Sequence, residues 1–216
     1  MALSTWRAEL RKGVQHLRTN DPVLAPVIER VGLPTFAPHG NYYQELVDSI
    51  ISQQLSVKAA ATIEKRFVKL FNDTFPAPEQ ILQKSVEELR TVGLSGQKAS
   101  YIRDLAQHIV DGSVKFDHLD ALTNEEIIAE LTAVKGIGEW TVHMFLLFCM
   151  GRLNVLATGD LGIRNGVKQL YGLEALPTPQ EVQIIATRHN WQPYEGVACW
   201  YIWQALNNTP QSNIRE

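Results

Sequence analysis

The sequence predicts an all-α fold, and three observations carry that prediction. Apolar residues recur at steps of three and four along almost the whole chain, and no segment alternates apolar with polar as a half-buried strand would. The S/T-x-x-E capping box opens three of the periodic runs, at Ser85 with Glu88, Thr123 with Glu126 and Thr178 with Glu181. Glycine follows the end of many runs, where a helix needs a residue tolerant of the left-handed conformation.

In chain order, Trp6, Leu10, Val14 and Leu17 mark a first helix with Ser4 as its candidate N-cap. A second is expected from Asp21-Pro22, with proline at the first helical position, to a stop at Gly32. The stretch 33–40 holds two prolines and reads as a loop. Two periodic helices, 42–54 and 56–71, are split by a short break at Gln54-Leu55. Ser95 opens a helix that Asp111-Gly112 closes, and an almost wholly apolar helix runs over 138–150. A further helix is expected over 160–171, and a last one after Pro193 carries Val197, Trp200, Tyr201 and Trp203. Roughly ten to twelve short helices with short connections describe a helical protein of one or two lobes.

Composition narrows the function classes. The 216 residues include 20 Lys and Arg against 23 Asp and Glu, a formal net charge of -3, which at first sight argues against a polyanionic partner. Two cysteines, Cys149 and Cys199, are too few for a disulfide framework, a four-cysteine zinc site or a four-cysteine iron–sulfur cluster. The six histidines show no pairing at metal-ligand spacing, and neither a G-x-S-x-G elbow nor a Walker loop is present. The amino terminus lacks the apolar core of a signal peptide, and no run of ~18 apolar residues offers a membrane span. The expected setting is the cytoplasm, on the nucleoid if the source is bacterial.

The most informative segment is L-T-A-V-K-G-I-G-E-W, residues 131–140, where a capped helix meets a tight glycine turn and a second helix begins at once. Gly136 and Gly138 let the backbone turn sharply and approach a partner closely, and the amides opening the next helix point outward at the positive end of its dipole. Lys135 adds a cation. Alone, such a turn is a common helix–helix connection with glycine at the C-cap. Its continuation into a buried helix and then V-L-A-T-G-D-L-G-I-R-N-G resembles the signature of the helix-hairpin-helix DNA glycosylases, specifically the 3-methyladenine DNA glycosylase II group. I-I-S-Q-Q-L-S-V-K-A-A and W-Q-P-Y-E-G-V-A-C-W-Y-I-W resemble that family's interhelical loop and carboxy-terminal helix. The resemblance spans 42–207.

That resemblance implies a two-lobed helical glycosylase without the amino-terminal sheet domain of the longer bacterial relatives. One lobe would hold 42–133 and the other 1–41 with 134–207, the base pocket and DNA channel lying between them and 208–216 forming a flexible tail. Asp160 matches the catalytic aspartate. Gly136, Ile137, Gly138 and Thr141, with Lys135 beside them, match the hairpin that grips a DNA phosphate. No cofactor is implied for the chemistry, but a monovalent cation, Na+ or K+, held by the carbonyls of Thr132, Val134 and Ile137, is implied at the hairpin. Gln53, Gln54 and Leu55 match the loop that enters the gap left in the duplex, and which of them is the wedge stays open. Trp140, Met144 and Trp203 match positions lining the base pocket, with Met144 standing where an aromatic is often found.

The expected partner is double-stranded DNA containing alkylated bases, and the expected state a monomer. Superfamily members that also cut the strand carry a lysine where this chain has Trp140, so a monofunctional enzyme leaving an abasic site is expected. Each residue also has a plainer reading: Asp160 as a helix N-cap, Trp203 as a core aromatic, Gln53 and Gln54 as a helix end, His143 as a satisfied core histidine. Two alternatives therefore stand beside excision of alkylated purines. One is a DNA-binding or damage-recognition module that no longer excises; the other is a glycosylase for oxidised, mismatched or deaminated bases. Over 132–168 the basic Lys135, Arg152, Arg164 and Lys168 face only Glu139 and Asp160, a local positive surplus inside an acidic chain.

Overall fold

Capping decides where most of the helices begin. In the computed structural model, which describes residues 3–206, all three S/T-x-x-E boxes close in both directions, each hydroxyl accepting from the N3 amide while the glutamate accepts from the N-cap amide. Ser56, Ser95 and Asp160 cap three more helices by the first of those bonds alone. The chain runs through α1 (Leu3–Asn20), α2 (Ala25–Val31), α3 (Tyr42–Ser52) and α4 (Val57–Leu70). It continues through the short α5 (Pro78–Leu82) and α6 (Val86–Arg90) to α7 (Gly96–Val110), and after a 3-10 turn to α8 (Asn124–Thr132). The helix α9 (Glu139–Met144) runs on into a π-helical stretch, Phe145–Cys149, followed by α10 (Leu161–Leu170), α11 (Pro179–Arg188) and α12 (Glu195–Ala205). The described residues contain no strand, in keeping with the all-α prediction, and none of their helices is long and apolar enough to cross a membrane. The expected tail at 208–216 lies outside the described residues.

Two starts differ from the sequence reading. Ser4 lies inside α1, which has already begun at Leu3. Asp21 caps a turn before the second helix: its carboxylate accepts from the amides of Val23 and Leu24 at 2.9 and 3.0 Å, and α2 begins only at Ala25.

The chain divides into two compact units. The first combines the chain up to His39 with the chain from Leu146 onward, and the second is Gly40–Phe145, so the boundary falls after α9 rather than before the glycine turn. In the first unit α12 is buried from Gly196 to Trp203 and packs against α1, α2 and α10. Both cysteines lie in this core, and burial pushes the Cys199 thiol up to about 12. Asp21 is fully buried there and accepts from Trp191 Nε1 at 2.7 Å and from the Tyr171 hydroxyl. In the second unit α7 is the central element, packed against α3, α5 and α6, while α8 packs on α9.

Four donors converge on Asp21, so Asp21→Ala leaves several of them unsatisfied in the core. The expected loss is about 3 kcal/mol of unfolding free energy, read as a lowered urea midpoint with α-helical circular dichroism retained below it.

Candidate active site

In the first unit the site is built around Asp160. Its backbone is extended, as an N-cap requires, and its Oδ1 accepts from the Ile163 amide at 2.7 Å. The same oxygen accepts from Trp203 Nε1 at 3.0 Å, so two donors from different helices fix one carboxylate oxygen in place. Trp203 is only 1% exposed, its ring tilted over that of Phe148 with centroids 6.0 Å apart. The tryptophan is thus a buried anchor of the carboxylate, a use its sequence position did not disclose. Gly162 completes the arrangement: a Cβ there would meet Asp160 Oδ1 at 3.0 Å and the Trp203 indole at 3.2 Å. A glycine inside an amphipathic helix was the available signal, and it marks a close approach.

The second unit presents the glycine turn between α8 and α9. Gly136 has φ +86°, and a Cβ on it would lie 2.1 Å from the Tyr101 ring, so the turn rests directly on α7. Gly138 differs, since its φ is -93° and a Cβ would meet nothing within 4 Å. The fold does not require glycine there; open space at that point leaves a bound group free to come close to the backbone. Ile137 and Thr141 are buried behind the turn. Trp140 is 50% exposed on the first turn of α9, Met144 is half-buried, and His143 is buried with Nε2 3.7 Å from Glu139.

Lys135 is engaged on both sides of its backbone. Its amide donates to Asp104 at 2.9 Å, and its ammonium lies 3.2 Å from the other oxygen of the same carboxylate. Burial acts to raise the Asp104 pKa, but these contacts with Lys135, with His108 behind them, outweigh it and hold the group below the ordinary aspartate value. The cation assigned to phosphate by sequence therefore has a carboxylate partner, in an exposed pair of the kind that exchanges cheaply. Arg164, on α10, is likewise committed, donating to the Pro177 carbonyl at 2.6 Å.

Gln53, Gln54 and Leu55 form the turn after α3. Gln54 takes φ +57°, the left-handed region seldom used outside glycine, and both Gln54 and Leu55 are exposed. Gln53 instead turns inward and donates from Nε2 to the Gly136 carbonyl at 2.8 Å. Of the carbonyls implied as cation ligands, that of Val134 accepts one turn hydrogen bond from Ile137, and that of Thr132 ends α8, where a helix leaves its carbonyls without intrahelical partners. No cluster of His, Cys, Asp or Glu among the described residues could hold a metal.

Residues 47–191 match the HhH-GPD superfamily, whose description is base excision DNA repair protein. The chain belongs to that superfamily. It is 37% identical over 164 residues to DNA-3-methyladenine glycosylase 1 of Schizosaccharomyces pombe, covering 75% of this chain and 71% of that one. An alkylbase DNA glycosidase-like protein of the same yeast is 29% identical, covering 91% of this chain and 94% of its own. Among solved structures, a DNA-3-methyladenine glycosidase from Bacillus halodurans superposes with a TM-score of 0.80 at 39% identity, over 89% of this chain and 88% of that one. A Schizosaccharomyces pombe 3-methyladenine DNA glycosylase in complex with abasic DNA gives 0.78 at 33%, over 94% and 100%.

Sequence reasoning about this HhH-GPD chain missed the supports of its loops. Tyr101 beneath Gly136, Asp104 beside Lys135 and Lys98 behind the Gln53 turn all lie on α7, remote in sequence from what they hold.

The two glycines should separate in stability. Gly136→Ala forces a left-handed alanine against the Tyr101 ring and should cost about 2 kcal/mol or more, whereas Gly138→Ala should stay within about 1 kcal/mol of wild type in urea denaturation.

Proposed function

We propose that this protein is a monofunctional DNA glycosylase that flips alkylated purines of the 3-methyladenine type out of the duplex and hydrolyses their N-glycosidic bond, leaving an abasic site. The observation that carries the reading is the Asp160 carboxylate, 9% exposed and fixed by Trp203 and Ile163, in a chain of the HhH-GPD superfamily. The partner is double-stranded DNA bearing alkylated bases, and the acting form is a monomer within the cytoplasm.

Reaching a stacked base requires extruding its nucleotide, at a cost of a few kcal/mol. The exposed Gln54 and Leu55 at the turn after α3 are suited to fill the vacated space and offset part of that cost. The glycine turn would hold the backbone, with a phosphate against the open face of Gly138 and the amides that follow it. A monovalent cation held by the carbonyls of Thr132, Val134 and Ile137 fits there, because the end of α8 and the turn offer backbone oxygens at the negative end of a helix. It would lend positive charge toward the phosphate that the chain's few basic residues do not supply.

A purine alkylated at N3 or N7 carries positive charge and leaves readily, so the enzyme has no need to protonate it. An exposed tryptophan face such as that of Trp140 attracts such a cation by roughly 0.5–2 kcal/mol. This reading sets Trp140 against the base, with Met144 one turn on along the same helix, and has Trp203 act through the carboxylate it holds. Departure of the base leaves an oxocarbenium-like sugar. A fixed carboxylate at Asp160 stabilises that charge and orients the water that attacks it. Strand cleavage through a Schiff base would need an amine at the position occupied by Trp140.

The test is to incubate the protein with methylated duplex DNA and assay released bases by chromatography. Wild type should release 3-methyladenine, Asp160→Asn should lose at least about 100-fold in rate, and borohydride should trap no covalent complex. Absence of release by wild type would leave a DNA-binding module, and equal release by both would remove Asp160 from the mechanism. Gly162→Ala, which crowds Oδ1 and the indole by a few tenths of an ångström, should lower the single-turnover rate about tenfold with the affinity for undamaged DNA unchanged.

A further inference from the structure

We propose that Lys98, on α7, is a positioning residue that sets the wedge loop and locks it to the glycine turn. This rests on the glycosylase reading for the role of the loop, but the geometry stands by itself. Lys98 lies in the first turn of α7, its amide bonded to the Ser95 cap. A lysine there opposes the positive end of its own helix dipole. Its ammonium crosses to the other kind of helix end, donating to the Ile51 carbonyl at 2.7 Å and the Gln53 carbonyl at 2.6 Å, at the end of α3. Partial burial lowers its pKa, a cost that the two carbonyls offset.

The loop needs this support. At the end of α3 the chain makes a tight turn, the Leu55 amide donating to the Ser52 carbonyl at 3.0 Å, through Gln53 with ψ 126° and a left-handed Gln54, with no glycine to ease the reversal. Such a conformation persists only where its surroundings over-determine it. Lys98 holds the backbone leading into the reversal, and the Gln53 side-chain amide ties the same residue to the Gly136 carbonyl. One turn further along α7, Tyr101 underlies Gly136, and Asp104 then anchors Lys135. Two loops far apart in sequence are thereby mounted on one helix, so that a phosphate gripped by one defines where the other enters the duplex.

Binding tests this without requiring base release. Lys98→Met and Lys98→Arg are compared with wild type on a duplex containing an abasic site and on the same duplex undamaged, by fluorescence anisotropy. A 2-aminopurine opposite the abasic site reports entry of the loop. Lys98→Met should lose about tenfold in preference for the abasic duplex and blunt the 2-aminopurine response, with affinity for undamaged DNA unchanged, and Lys98→Arg should restore most of both. In a Gln54→Ala, Leu55→Ala background, Lys98→Met should have no further effect. Equal loss on both duplexes, equal loss in both backgrounds, or no loss at all overturns the proposal. So does a wild type that shows no preference for the abasic site. If Lys98→Met melts below the assay temperature, Lys98→Gln takes its place. Failure of wild type to release bases would refute the glycosylase reading and leave this measurement intact.

Discussion

A backbone lying against an aromatic ring is the constraint on which the second unit depends. Gly136 sits on Tyr101 with no room for a methyl group between them, and this contact fixes the height of the α8–α9 turn above α7. From it follow the reach of the Gln53 amide to the Gly136 carbonyl and the pairing of Lys135 with Asp104. The turn is therefore precise because it is seated, and its second glycine can stay open because the first carries the packing. Division of labour between two glycines that flank one isoleucine is what allows one segment to be both rigid and approachable.

In the proposed mechanism Asp160 answers a structural and a chemical demand at once. An N-cap needs an oxygen at a defined place over the first turn, and a group that stabilises a sugar cation needs the same immobility. Trp203 adds a second restraint from α12 and removes the rotational freedom that a capped aspartate retains. The proposed grip by amides and carbonyls of helix ends would need few lysines and arginines, so an acidic total does not argue against a nucleic-acid partner.

Helix starts were legible wherever a local rule governs them. Ser85, Thr123 and Thr178 cap where the pattern put them, because the box involves residues three apart. Asp21 misled for a related reason: aspartate followed by proline satisfies the pattern, yet the carboxylate spends itself on a turn and on Trp191 and Tyr171, far along the chain. The short α5 escaped notice because its cap, Ala77, has no polar side chain to announce it; the Gln80 side chain accepts from the Ala77 amide instead. At the candidate site, Asp160, the two glycines and Trp140 are named by the resemblance of their motifs to the glycosylase family. Lys98, Tyr101 and Asp104 are not, since a lysine, a tyrosine and an aspartate on an amphipathic helix look like ordinary surface until the loops they hold are brought onto them.

The buried cysteines have a meaning for a protein that would work amid alkylating agents. A thiolate is the most nucleophilic group such reagents meet on a protein, and burial in apolar surroundings disfavours it. Cys149 and Cys199 are the chain's whole complement, both buried, with Cys199 held as the neutral thiol far above physiological pH. An alkylating agent that methylates DNA therefore meets neither thiol at the surface of the protein.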